Sequence, residues 1–586
     1  MDIVLRALEA VASGTAARKC ESEKLDFKEA KPDFKEACSD LAEAAVCFAN
    51  ASGGFVVVGV VDSKAGPEAF VGCELDAGVL RGRIHQLTSP NLLVEVSALD
   101  FAGARLLVIN VPAGLDVYST TKGYAYQRIN DQCIPMRPLD ISRLTEERRG
   151  IDWSATSSGR TIEDIDPLAL RYCRRLLQNS SDVKRQSYGR LSDIDLLRAL
   201  KVVTDDGLLN RAGEILLCEE STSTSPELAV YQHRRTQAGE ADAIVRMQSP
   251  MVLAFEEVLQ SIRARQGITP VTLVDGQQIQ IEDYPSAAVR EAIANAFIHG
   301  DWRLRSPIQI DHSVEYLRIT SPGPLVNGIT VNNILTTGSR ARYPTLAAAF
   351  RLLGLAEEVG QGVDRMYREM IKSGRDAPVI TEDRDQVTVA FRGQPPNTKI
   401  ARFLATLPTE EQEDTDALLI IRTLCRKRTV DAHEIAPIIQ RSADEAQASL
   451  LRLSTSPVDI LEPTRGTTRR TFPSYRLRGE VVARLGAAVS YHSRAIDEID
   501  RKVIEHIRDY GEVNSRTIQR LFDVDVYPAR DILRDLVGRE LITRISEQTR
   551  GTAVRYGPGP AFPAKKTRPK AARKAKELPP NDDLLF

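Results

Sequence analysis

The chain has 586 residues, a formal net charge of −2, 42% hydrophobic residues and 27% charged residues. That length exceeds a single hydrophobic core and predicts roughly three to five domains, and the strand and helix patterns along them, taken below, make the expected class multidomain α+β. The proportions are those of soluble globular proteins. No apolar run approaches the roughly 18–20 residues of a membrane span, so no membrane partner is expected.

The first twelve residues, with Asp2, read as a short helix rather than a secretory signal and set residues 1–19 apart. The eight cysteines (Cys20, Cys38, Cys47, Cys73, Cys133, Cys173, Cys218 and Cys425) form no CxxC pair. Their scatter argues for a reducing cytosol and a cytoplasmic location, and against a disulfide frame or a zinc site.

Residues 20–150 alternate between strand and helix patterns. Residues 40–50 form an apolar-faced helix. Phe55 to Val61 is a nearly continuous β-branched run, and Leu106 to Val111 is another. In Lys24-Leu-Asp-Phe-Lys28 the charges alternate with apolar residues, so Lys24, Asp26 and Lys28 share one strand face. Glu21 lies just upstream, and Asp62 ends the following strand. Carboxylates converging at strand ends suit a divalent cation, and a neighbouring lysine suits a phosphate. The pentapeptide Asp-Phe-Lys-Glu-Ala occurs at 26–30 and again at 33–37. The first copy has the upstream Glu and is preferred for the site.

This region resembles the Schlafen AlbA-like domain. The resemblance rests on Glu21-Ser-Glu-Lys-Leu-Asp-Phe-Lys28, Ala49-Asn-Ala-Ser-Gly-Gly54, Gly59-Val-Val-Asp62 and Tyr126-Gln-Arg128. It implies nucleic-acid binding, with Lys28 and Arg128 as contacts. In family members that cleave nucleic acid, it implies metal ligation by Glu21, Asp26 and Asp62. Asp26 stands where a Glu is more usual.

Residues 151–280 read as a mixed α/β connecting region. It has helices at 168–178 and 193–200 and a strand near Glu214–Cys218. The next domain is expected over 281–395. Its leading feature is the helix Arg290–Trp302, where Glu291, Asn295 and His299 recur every four residues among apolar neighbours. A polar stripe on such a helix is costly to bury. A carboxylate, an amide and an imidazole in a row suit a metal-bound phosphate. A strand at 316–320, the turn Ser321-Pro-Gly-Pro324, a helix at 344–353 and a glycine pair, Gly360 and Gly362, at a helix start follow. Glycines there let backbone N–H groups approach phosphate.

The segment resembles the ATP-binding domain of the GHKL class, in the divergent version found in predicted bacterial transcriptional regulators. The resemblance implies ATP and Mg as cofactors. Asn295 would bind the Mg²⁺, Glu291 would orient the attacking water, and His299, Gly323, Gly360 and Gly362 would border the nucleotide. The usual adenine-reading Asp-x-Gly-x-Gly is replaced by Thr320-Ser-Pro-Gly323, and Tyr343 stands where Asn is expected before Pro344.

Residues 400–485 and 495–558 share one plan: three helices, then a hairpin with basic residues. That is the layout of a winged helix-turn-helix. In the second copy, Arg530 and Arg534 on the third helix could enter a major groove, and the turn arginine Arg550 could meet phosphate. The first copy has an acidic third helix (Asp444, Glu445), which suits protein contact. Residues 559–586, with seven basic residues and no acid between Lys565 and Lys576, then Asp582 and Asp583, read either as a disordered solubilising tail or as a nucleic-acid-binding arm.

Two function classes follow. The first is a nucleotide-regulated, DNA-binding transcriptional regulator acting as a homo-oligomer, with DNA ahead of RNA as its partner. The alternative is a metal-dependent, Schlafen-like endoribonuclease acting on tRNA or other RNA in phage defence, with ATP as its switch. A scaffold with a dead nucleotide site is a third reading.

Overall fold

The computed structural model describes residues 1–563 except 237–238, 273–277, 357–361, 394, 465, 523–525, 547 and 549–553. Contacts divide the chain into two units. One is Met1–Thr423 with Thr429–Arg478; the other is Leu424–Arg428 with the chain from Gly479 onward.

The first unit opens on a four-stranded sheet in the order Leu25–Lys28, Gly54–Val58, Ala104–Val111, Glu95–Phe101. The first pair is parallel and the others are antiparallel. The Gly54–Val58 strand is apolar on both faces because both faces are covered. Val56 and Val58 pack with Phe48 and Leu41 of the Phe34–Ala49 helix. Val57 packs on the other side with Phe27 and with Val4, Leu8 and Val11 of the Asp2–Ala12 helix. The Phe34–Ala49 helix starts earlier than its apolar face suggests, because the Asp33 side chain accepts the Glu36 N–H at 2.7 Å and caps it.

One expectation about cysteine is corrected here. Cys47, in that helix, and Cys133, in the Gln132–Pro135 strand, are joined by a disulfide. They lie 86 residues apart in sequence, so only the tertiary fold could reveal the pair.

A six-stranded sheet forms the centre of the unit. Its order is Ala241–Met247, Ala229–Arg234, Ile308–His312, Tyr316–Pro322, Gln386–Arg392, Val379–Asp383. The helices Met251–Arg263, Ser286–His299 and Gly362–Lys372 belong to the same core, which draws on residues from Ile165 to Phe391. Two of the strands precede residue 281, so the sheet reaches across the boundary expected there. The strand expected near Glu214–Cys218 is instead the helix Arg211–Leu217. The Asn210 side chain caps it by accepting the Gly213 N–H at 2.9 Å, and the Glu214 carboxylate is fully buried under Thr222 and Ser223.

The last part of the first unit has helices Thr415–Leu424, Ala432–Ile439 and Ala443–Ser454, followed by paired strands Leu461–Pro463 and Tyr475–Leu477. The second unit repeats the order with Ser490–Tyr510, Ser515–Phe522, Val526–Gly538 and the pair Ile542–Arg544 with Tyr556–Pro558. Both copies add the same isolated bridge ahead of the second helix, Val430 with Tyr475 and Val513 with Tyr556. Among the described residues no helix is long and apolar enough to cross a membrane.

Candidate functional site

The N-terminal acids come only partly together. Asp26 sits on the Leu25–Lys28 strand with its side chain 3% exposed. Two cations of the chain itself hold it: Lys28 Nζ at 2.8 Å and Arg128 Nη1 at 3.2 Å. Arg128 is buried, stacks over the Phe48 ring at 4.8 Å, and donates to the Ser22 and Leu25 carbonyls. Its guanidinium is therefore spent inside the domain, and the expectation that Arg128 meets a nucleic-acid phosphate does not fit this placement. Lys28 keeps a 42% exposed side chain.

Glu21 lies beside this group and accepts the Phe27 N–H at 3.1 Å. Burial pushes its carboxyl up to about 7, and the neighbouring Asp26 charge adds to the rise. Asp62 is exposed beyond the end of the Gly54–Val58 strand, where its carbonyl accepts the Arg18 N–H. Among the described residues no group of three or more His, Cys, Asp or Glu side chains is placed to hold a metal ion. The place a cation would take beside Asp26 is held by Arg128 and Lys28, so these acids do not fit the metal the nuclease alternative needs.

The polar stripe of the Ser286–His299 helix behaves differently. Glu291, Asn295 and His299 all line one cavity of about 1160 Å³, including its open mouth. The sheet supplies an apolar floor from Ile319, Ile380, Val387 and Val389. The turn after Tyr316–Pro322 closes one side with Gly323, and the Gly362–Lys372 helix closes another with Gly362 and Met366.

Both glycines sit where a side chain would meet a close neighbour. A Cβ on Gly362 would lie 2.0 Å from Glu291 Oε1, and one on Gly323, at φ +87°, would lie 2.6 Å from Asp301 Cβ. Gly360 lies outside the described residues. Burial holds the His299 imidazole down to about 4, helped by the nearby Arg342 and Arg351 charges, so it is neutral at pH 7.

A charged network backs the cavity. Asp301, fully buried, accepts from Arg303 Nε at 2.9 Å and from the Tyr343 hydroxyl at 2.8 Å. Tyr343, standing where an Asn was expected, is thus a structural partner of Asp301. Arg342 donates to the His299 carbonyl at 3.0 Å, to the Pro324 carbonyl, and to Glu147 at 3.0 Å. Glu147 belongs to the Pro138–Arg149 helix, whose Glu146 also meets Arg303. That helix therefore ties the N-terminal sheet region to the cavity wall.

In the second unit Arg530 and Arg534 are exposed on the Val526–Gly538 helix. Arg534 lies 3.4 Å from Asp531, itself 71% exposed. Arg550 lies outside the described residues. The sequence reading missed Arg340 and Arg351, which also line the cavity. The available signal was Arg351 itself, a charge in the last turn of a helix that is otherwise largely apolar.

Comparison with known proteins places these two regions. Residues 21–137 match the Schlafen, AlbA_2 family model, and residues 305–391 match a family described as "Putative ATP-dependent DNA helicase recG C-terminal" (HATPase_c_4). The chain thus joins a Schlafen AlbA-like domain to an ATPase-like domain. Its fold is also similar to the crystal structure of the DIP2311 protein from Corynebacterium diphtheriae. The two are 25% identical with a TM-score of 0.50, over 83% of this chain and 98% of that one. No curated protein matches.

Proposed function

We propose that this protein binds ATP with Mg²⁺ in the central cavity and uses it to regulate nucleic-acid binding, as a DNA-binding transcriptional regulator. The carrying observation is that Glu291, Asn295 and His299 line one wall of a cavity with an apolar floor, closed by Gly323 and Gly362. The ATPase-like match over 305–391 supports the nucleotide. In this reading Asn295 would hold the Mg²⁺ through its amide oxygen, with the Glu291 carboxylate on the same cavity wall. When bound, the ion would neutralise charge on the phosphates.

The nucleic-acid half rests on the Schlafen AlbA_2 match and on the repeated three-helix-and-hairpin plan, which we read as two winged helices. Arg530 and Arg534 of the second copy are the proposed groove contacts, and Lys28 is the proposed contact of the N-terminal domain.

Titration of ATP into wild type and Asn295→Ala tests the first half. The expected result is Mg²⁺-dependent binding that the variant weakens; equal, negligible affinity in both would remove ATP from the account. A salt series of duplex binding tests the second half. Arg530→Ala with Arg534→Ala should weaken binding and flatten the salt slope. An unchanged slope would move DNA contact elsewhere.

A further inference from the structure

The arginines around the cavity fall into two sets. Most are matched. Arg290 donates to the Gly354 carbonyl at 2.8 Å and lies over the Phe255 ring. Arg303 and Arg342 have the carboxylates and carbonyls described above. Two are not matched. Arg340 stands exposed in the segment before the Pro344–Leu352 helix, and Arg351 is half-buried in that helix's last turn. Both line the cavity, and among the described residues no hydrogen bond or ion pair engages either guanidinium.

The half-buried Arg351 guanidinium, drawn partly out of water without a carboxylate, loses solvation and gains nothing in return. Such a residue stays favourable when a ligand supplies the missing charge. The lining contains two arginines and one carboxylate, Glu291, which lies against Gly362. His299 is neutral and adds no further positive charge. The hydroxyl residues Ser321, Thr337 and Ser339 complete the polar part, while the strand residues below are apolar. The cavity therefore offers an apolar floor for a flat ring and a cationic wall for an anion. Two planar forks suit several phosphate oxygens better than one carboxylate would.

We infer that Arg340 and Arg351 grip the polyphosphate of the bound nucleotide, so that the cavity selects nucleoside di- and triphosphates over the nucleoside. This assignment rests on the ATP-binding reading above. It adds two side-chain phosphate contacts to the Mg²⁺ that Asn295 would hold.

The test measures binding of ATP, ADP, AMP and adenosine to the full chain, with and without Mg²⁺. Calorimetry serves the nucleotides and ligand-observed NMR the nucleoside. Wild type should rank ATP above ADP, AMP and adenosine. Arg351→Ala and Arg340→Ala should each weaken ATP about tenfold or more and leave adenosine unchanged. Arg351→Lys should fall between, keeping the charge and losing the fork.

ATP affinity unchanged in both alanine variants would overturn the assignment while leaving the nucleotide site standing. Equal losses for ATP and adenosine would also overturn it, since the arginines would then shape the cavity rather than hold phosphate. Wild type that binds neither ATP nor adenosine would remove the underlying reading and this assignment together.

Discussion

The N-terminal acid group and the central cavity both bring carboxylates and arginines together, and they resolve their charges in opposite ways. Around Asp26 the chain itself supplies the partners: Arg128 and Lys28 take the carboxylate, and carbonyls take the rest of the Arg128 guanidinium. Around the cavity, Arg340 and Arg351 face open space without an internal counter-charge. Counting charged residues would rank the two places alike. Their partners separate them, because a group satisfied internally holds structure and one left unsatisfied at a cavity awaits a ligand.

The largest expected effect breaks the closed side of this contrast. Arg128→Ala leaves Asp26 with Lys28 alone and removes the buried guanidinium's carbonyl bonds and its stacking on Phe48, and should destabilise the protein by up to about 3–5 kcal/mol, read from urea denaturation. Unchanged stability with lost nucleic-acid binding would make Arg128 a ligand contact and dissolve the contrast. Next comes Glu147→Ala, which takes a charged partner from Arg342 and should cost about 1.5–3 kcal/mol on the same assay.

On the open side, Gly362→Ala forces a methyl group onto the Glu291 carboxylate. It should cost about 1–3 kcal/mol and weaken ATP binding, which a melting curve and a nucleotide titration read separately. The smallest effect is a slope. The folded Glu21 carboxyl titrates near 7, above its ordinary 4.5. The folded state therefore binds more protons than the unfolded state between those values, and stability falls as pH rises through that window. Glu21→Gln should flatten the slope between about pH 4.5 and 7; an unaltered slope would place the titration on another group.

Much of the fold was readable from periodicity. The β-branched strand before Asp62, the helix with the Glu291 stripe and the second three-helix-and-hairpin repeat all carry patterns that short-range physics imposes. The repeated pentapeptide marks the limit. In one copy Asp26 and Phe27 are buried in a strand. In the other, Asp33 caps a helix and Phe34 is 38% exposed. Five identical residues take both forms, so the neighbours decide. Glu214 misled for a related reason: an apolar run of that length suits strand or helix, and the Asn210 cap decides between them. Within the site, the stripe spacing pointed to residues on one helix. It could not show that Arg128 turns inward, that Cys47 meets Cys133, or that Arg351 reaches the same cavity from another helix.

The Pro138–Arg149 helix carries a practical consequence for dissecting the chain. A cut at Gly150, the residue after that helix, looks like a natural seam between the two matched domains. It would remove Glu146 and Glu147, leaving Arg303 and Arg342, with side chains 13% and 2% exposed, to share the one carboxylate of Asp301. A fragment beginning there would inherit excess positive charge at Arg342, which donates to the His299 carbonyl. The seam in sequence is therefore a weld in three dimensions, and a working fragment of the ATPase-like domain has to keep this helix.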